Sequence, residues 1–252
     1  MSHNDMLDAA RAAGAPIEQA VALFMLHQET AAESVAAGYQ NSFAGYVVGR
    51  GGVLGEATGA TVSAVFAAFD PAFLRSLWEE GVAVRDAAGA AELYWDQTAG
   101  FARRHLTGIE GLDRIAALGE KVIAATPDAG LPLYAGWRTM PLADDAPARA
   151  LQVMFILREL RGGVHFNALT ISGITPVEAH MLNHGHDYTT MFGWPEPFAD
   201  GADKKERYAE VEQTTNQRMA EIFAAALDRD EANELVGLSA AVWAWLKAGV
   251  PA

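Results

Sequence analysis

Two groups of residues in the second half of the chain have the types and spacing to do chemistry. The first is Arg158, Glu159, Arg161 and His165, in the run LRELRGGVH. Guanidinium, carboxylate and imidazole close together supply a cation for an oxyanion, a fixed negative charge and a group for proton transfer. The same set also suits an internal ion-pair network that ties helices together. The second group is His180 and His184, one helical turn apart, with His186 close behind. Two imidazoles so spaced can hold a metal or a haem iron if a third ligand joins them. His186, Asp187 and His165 are the available third ligands. The H-E-x-x-H motif of zinc hydrolases is absent, because Met181, Leu182 and Asn183 lie between the two histidines. Val177 and Met181 share their helix face, which also suits buried, hydrogen-bonded histidines. No metal site is assigned to them, and no cofactor follows from these residues. Tyr46, Arg50, Trp137 and Arg138 are further candidates for lining the same cavity. The expected catalytic set is therefore His165, Arg158 and Glu159. The expected ligand-binding set is Tyr46, Arg50, Trp137, Arg138, Arg161, His180 and His184.

Composition removes several classes of function. The chain has 252 residues and is 51% hydrophobic, enough to bury a sizeable core. Its formal net charge of −14 repels phosphate backbones and anionic lipid. It has no cysteine, so disulfides and thiolate chemistry are excluded. The opening MSHNDMLDAARAAG lacks the basic and apolar regions of a secretory signal. The longest strongly apolar run, ALQVMFIL from Ala150 to Leu157, falls far short of the roughly 20 residues of a membrane span. A soluble, cytoplasmic protein is expected. From Gly162 to Asp203 there is no Lys or Arg, while Glu178, Asp187, Glu196, Asp200 and Asp203 are acidic. A DNA-recognition helix needs amide and cationic side chains for bases and cations for phosphates. The helix here offers Glu178, His180, Asn183 and His184, so nucleic-acid binding is not expected.

The elements that must position these residues read as helices. Pro16 suits the first turn of a helix running toward Met25. Others are predicted from about Gln28 to Gly38 and from Ser42 to Val48. The glycines of GRGGVLG, Gly49 to Gly55, read as a flexible turn between helices. They do not fit a dinucleotide fingerprint, because Leu54 stands where the third glycine belongs. Val62, Val65, Phe66 and Phe69 have helical spacing, and Asp70-Pro71 ends one helix and starts the next. Helices follow over about Ala87–His105 and Ile109–Ala125, then a turn at Thr126 to Gly130. Leu131 to Arg138 reads as extended. A central helix, apolar around its whole circumference, is predicted from about Pro147 to Arg161, ended by Gly162-Gly163. A shorter helix covers about Val164 to Ile171. Ser172-Gly173 makes a tight turn, and Thr175-Pro176-Val177-Glu178 is a capping box opening the next helix. Helix, short glycine turn, helix is the helix-turn-helix pattern. Tyr188 to Asp203 reads as loop. A long helix covers about Lys204 to Leu227, and a last one carries Leu235, Leu238, Val242 and Leu246.

Four runs add a resemblance: GYVVGRGGVLG at Gly45 to Gly55, VFAAFDPAFL at Val65 to Leu74, GLPLYAGW at Gly130 to Trp137, and LRELRGGVHFNAL at Leu157 to Leu169. In these the chain resembles a family, known mainly from actinobacteria, of helix-turn-helix proteins with a domain similar to the MarR-type winged helix. The family pattern L-R-E-x-R-G-D-G-H is matched at Leu157, Arg158, Glu159, Arg161, Gly162 and His165. Gly163 stands in place of its Asp and Val164 in place of its next Gly. In the family the motif leads into a second helical pair and a β-wing. Here a short interval without alternating strand pattern follows His186, so the wing reads as deleted. The resemblance implies a fold rather than an activity.

The expected fold is all-α: a multi-helical bundle with an embedded helix-turn-helix, or degenerate winged-helix, core. Residues 1–130 form an N-terminal helical region. Residues 131–252 form the helix-turn-helix-like region with long C-terminal helices, and the two make one compact unit. The leading function is a small-molecule-binding protein that has lost DNA binding. The alternatives are an enzyme using His, Arg and Glu as acid and base on a small apolar substrate, and a transcriptional regulator. The expected partners are a small-molecule ligand or substrate and, through the stripe of Tyr208, Val211, Met219, Ile222, Phe223 and Ala226, a second copy of the chain. Neither a membrane nor nucleic acid is expected.

Overall fold

A computed structural model describes residues 3–250. Among the described residues the chain is all-α, with no strand. The helices are α1 (His3–Leu26), α2 (Gln28–Ala36), α3 (Ser42–Gly51), α4 (Gly59–Phe66), α5 (Pro71–Val84), α6 (Ala87–His105) and α7 (Leu112–Ala125). They continue with α8 (Pro132–Trp137), α9 (Ala146–Ser172), α10 (Pro176–Asn183), α11 (His186–Met191), α12 (Lys205–Ala226) and α13 (Arg229–Gly249). Side-chain caps fix many of the starts. Asp70 accepts from Ala72 and Phe73 ahead of Pro71, Asp86 from Gly89, and Asp145 from Ala148. Thr175 with Glu178, and Asp228 with Glu231, form capping boxes.

α9 is the axis of the bundle. Every residue from Ala150 to Leu157 is buried, as its all-round apolar surface requires. α1, α6, α7, α8 and α12 pack around it, and α13 closes the far side of α1. One hydrophobic cluster runs from Met6 to Val250. A second, small one joins Leu169, Ile174, Ala179 and Val211. It ties the end of α9, the turn and α10 to α12. The helix-turn-helix is thus the last turns of α9, a reversal at Gly173 (φ +74°, left-handed), and α10.

Several expectations are corrected. Gly162-Gly163 does not end the central helix, which runs unbroken through His165 to Ser172. Each mid-helix glycine costs about 1 kcal/mol relative to alanine, but packing on several sides holds the helix. At Gly163 the missing side chain is needed, since a Cβ would lie 2.8 Å from Leu131 Cδ2. GRGGVLG is no flexible turn: α3 continues through Gly51 into a 3-10 turn at Gly52–Leu54. Its glycines let α3 approach α6, and a Cβ on Gly49 would meet Tyr94 at 2.8 Å. Leu131 to Arg138 is mostly helical, because Pro132 presets the first turn of α8 and Trp137 is buried. Pro16 lies inside α1, which starts at His3 and is clamped by α9, α12 and α13. Tyr188 begins no loop, since α11 covers His186–Met191. The stripe on α12 packs on α1, α7 and α9, with Val211, Met219, Ile222 and Phe223 buried within the chain. It therefore supplies no argument for a second copy.

Two substitutions separate these roles of glycine. In Gly52→Ala the new Cβ would lie 2.1 Å from the Ala87 carbonyl oxygen, so a loss of about 1–3 kcal/mol is expected. Gly162 has nothing within 4 Å of its Cβ position, so Gly162→Ala should gain roughly 0.5–1 kcal/mol. Urea midpoints moving in the same direction for both would contradict this division.

Candidate functional site

The central feature is a carboxylate shut inside the bundle. Glu159 on α9 is 2% exposed, and Arg50 on α3 is 6% exposed. Arg50 Nε and Nη2 donate to the two Glu159 oxygens, each at 2.9 Å. Arg50 Nη1 donates to the Tyr46 hydroxyl at 3.1 Å, and its guanidinium lies 4.6 Å over the Phe66 ring. Trp137 is fully buried and donates through Nε1 to the Arg50 carbonyl at 3.1 Å. Arg158, beside Glu159 in sequence, donates from Nη1 to Glu159 Oε1 at 2.9 Å. Its Nη2 reaches Glu18 on α1 at 3.4 Å. Burial works to raise the Glu159 pKa, but the charges of Arg50 and Arg158 and their hydrogen bonds hold it below the usual carboxylate range. The Arg50 pKa is raised despite its burial, chiefly by the Glu159 charge.

One turn further along α9, Arg161 Nη2 donates to Glu212 on α12 at 3.0 Å and lies 3.4 Å from the Asn216 amide oxygen. His165 Nδ1 lies 3.3 Å from the other Glu212 oxygen and 3.5 Å from Thr215 Oγ1. Burial lowers the His165 pKa and the Arg161 charge adds to that, against Glu212 and Glu18. Its ring lies 6.1 Å, edge-on, from Tyr208. Burial raises the Tyr208 phenol and the Glu212 charge raises it further.

The second histidine group lies on the helix-turn-helix. His180 is 8% exposed and packs 4.8 Å from Phe192, while His184 stacks on Tyr188 at 4.4 Å. Burial, then the neighbouring His184 charge, lowers the His180 pKa to about 4. Its Nδ1 has no hydrogen-bond partner among the described residues. Phe192 lies 4.3 Å from Phe69, and Phe69 6.1 Å from Tyr46. Aromatic rings therefore run from the helix-turn-helix to the hydroxyl that Arg50 binds. The Glu18 charge is felt at Arg158, which it touches, and more weakly at His165, His184, Tyr188 and Tyr208. A small pocket lies among Gly14, Ile17, Glu18, Arg158, Arg161, Met219 and Phe223.

Folding thus brings Arg158 and Arg161 to one pocket, with Glu159, Arg50 and Tyr46 behind Arg158, while His165 pairs with α12 and His184 stacks on Tyr188. Trp137 is a core residue supporting Arg50. Arg138 stands apart: it donates to the Thr126 and Ile123 carbonyls and closes the end of α7. His186 is exposed and pairs with Asp187 and Glu196. Among the described residues no group of three or more His, Cys, Asp or Glu is arranged to hold a metal ion. Glu18, Tyr188, Tyr208 and Glu212 were missed from sequence. Tyr208, Glu212 and Thr215 share a helix face by their spacing, but nothing local pointed that face at His165.

A helix-turn-helix family model matches residues 10–250, so the chain belongs to that family. Neither a curated protein nor a solved structure matches it.

The buried pair and the buried histidine give separate tests. Glu159→Gln leaves Arg50 buried without a counter-charge and should cost about 3–5 kcal/mol. The folded pKa of His180, about 4, lies below its ordinary 6.5. The unfolded chain then takes up the proton first as pH falls, so this contribution is complete above pH 6.5 and is lost between 6.5 and about 4. His180→Phe should flatten that part of a plot of urea midpoint against pH. An unchanged slope would show that His180 is not buried neutral.

Proposed function

Taking the chain as a member of the helix-turn-helix family, we propose that it is a small-molecule-binding protein whose motif, on a scaffold of winged-helix descent, no longer reads DNA. The observation that carries this reading is the relay from Tyr46 through Arg50 and Glu159 to Arg158. It holds a fixed cation beside Arg161 and Glu18 in a small pocket whose remaining lining is apolar. A few oriented polar groups in a concave apolar site are what recognition of a small molecule requires.

The surface of the motif supports the loss of DNA binding. On α10, Glu178 is occupied by Thr175 and Lys204. Asn183 and His184 are the exposed polar groups at its end. Folding adds Lys204, Lys205 and Arg207 from the start of α12, which the window from Gly162 to Asp203 did not include. Lys204 is paired with Glu178, and Asp203, Glu206 and Glu210 surround the other two in sequence. That is a poor phosphate-binding face.

A second reading, an enzyme, is favoured by the pairing of His165 Nδ1 with Glu212. A carboxylate on one ring nitrogen orients the other for proton transfer. On that reading His165 is the acid–base group and Arg158 holds the substrate.

Three measurements sort the readings. Anisotropy with random duplex at physiological salt should show affinity weaker than the usual non-specific range of about 10⁻⁴ to 10⁻⁶ M. A tight, salt-sensitive complex would restore a transcriptional regulator. Protein-observed NMR of labelled protein with a library of small organic acids, amides and alcohols should yield binders that perturb Ile17 and Phe223. His165→Ala should keep its melting temperature near wild type; loss of turnover with retained binding would select the enzyme.

A further inference from the structure

The stretch from Gly185 to Gly201, α11 and the chain behind it, is tied to the bundle through Phe192, Gly193 and Trp194. Within itself it is held compact by His186, whose Nε2 lies 3.0 Å from Glu196 and whose ring lies 5.3 Å from Phe198. Among the described residues from Pro176 to Ala202, Phe192 is the one buried member of the main hydrophobic cluster, with Tyr188 and Trp194 half-buried against it. Phe192 lies 4.3 Å from Phe69, and its carbonyl accepts from the Asp70 N–H at 3.0 Å. Trp194 Nε1 donates to the Ala68 carbonyl at 2.9 Å. Gly193 lies so close to Phe73 that a Cβ would meet its Cδ1 at 2.2 Å. α10 is anchored elsewhere, on α12: Ile174 and Ala179 share a small cluster with Val211, and Glu178 pairs with Lys204.

Both ends of this stretch are glycines in the left-handed region, Gly185 at φ +79° and Gly201 at φ +67°. Nothing lies within 4 Å of a Cβ on Gly185. Such residues absorb large changes of φ and ψ at small steric cost. The docked arrangement also carries two unrelieved costs. Ala67, next to the carbonyl that Trp194 binds, is the one non-glycine residue with positive φ among the described residues (φ +50°, ψ −41°). There the Ala68 N–H donates back to the Phe66 carbonyl. A γ-turn of this hand is strained and persists only where its surroundings hold it. The second cost is at His180, which is buried against Phe192 and Tyr188, at ring separations of 4.8 and 5.9 Å. Its Nδ1 has no partner among the described residues. A buried nitrogen in that state regains a hydrogen bond from water once it is uncovered.

We propose that residues 186–200 are a lid, hinged at Gly185 and Gly201 and latched by Phe192 and Trp194 on the turn from Ala67 to Asp70. Opening breaks the latch, lets the turn at Ala67 relax and gives His180 Nδ1 to water, while α10 stays on α12. It uncovers Phe69 and the inner face of α10, where the His180 and His184 rings lie 5.6 Å apart. The latch thus decides when His180, on the second helix of the helix-turn-helix, is reached from solvent.

Amide hydrogen exchange of the whole chain, read residue by residue by NMR, tests this. The N–H groups of Thr189 and Phe192 are bonded within α11, and that of Asp70 is bonded across the latch to Phe192. If one opening frees all three, they should share one protection factor, at least about a hundredfold below that of Leu151 to Leu157. Trp194→Phe keeps a ring but loses the bond to Ala68. It should speed all three amides several-fold and leave Ala179 on α10 and Leu157 on α9 unchanged. His180→Phe removes the unpartnered nitrogen and should slow the same three several-fold. If Trp194→Phe does not fold, the wild-type match of Asp70 to Phe192 and the His180→Phe result decide. The lid is overturned if Asp70 exchanges as slowly as Leu151 to Leu157 while α11 exchanges fast, since α11 then merely frays. It is also overturned if Trp194→Phe leaves the three amides unchanged or speeds Leu157 equally, or if His180→Phe does not slow them.

Discussion

A carboxylate inside an apolar bundle is tolerable only if its charge is answered on the spot, and that constraint shapes much of this molecule. Glu159 sits on the most buried helix, where desolvation alone would favour its protonated form. Arg50 answers it from α3 with two parallel hydrogen bonds. Arg50 in turn needs a support for its backbone, a partner for its remaining nitrogen and a face to lie on. Trp137, Tyr46 and Phe66 supply these. Each comes from a different helix, so one ion pair sets how α3, α4, α8 and α9 meet. The close approach of α3 to its neighbours also explains the glycines at Gly49 and Gly52, where a Cβ would collide with α6. Burying such a pair gains little net stability, because desolvation offsets the attraction. What the pair does provide is a fixed orientation for Arg158.

The continuity of α9 links that interior to the helix-turn-helix. One helix carries Glu159 and Arg158 in the bundle, Arg161 and His165 further along, and the first half of the motif at its end. The buried ion pairs and the first half of the motif therefore lie on one continuous helix. His184 stacks on Tyr188 between α10 and α11, and Phe192 at the end of α11 packs at a tilt on Phe69 of the bundle. In this arrangement the side chains of a recognition helix serve packing: Glu178 closes a capping box and an ion pair, and His180 is buried neutral.

The sequence by itself determined the helical class and most element starts. Those are local matters. Apolar spacing of 3.6, a proline after Asp70 or Asp145, and a Thr-x-x-Glu box act within a few residues and can be read there. The total burial of Ala150 to Leu157 was legible for the same reason. Only the tertiary structure decided what the glycines do. Gly162-Gly163 resembles a helix end because glycine is costly in a helix, yet packing around α9 outweighs that cost and Leu131 needs the space. The partners of the charged residues were likewise out of reach, since Arg50 and Glu159 are 109 positions apart and Arg158 and Glu18 are 140. Charge type is visible in a sequence, but which charge is answered depends on helices that meet only after folding. That is why Glu18, one acid among many on an acidic chain, became significant only when α1 was seen lying against Arg158.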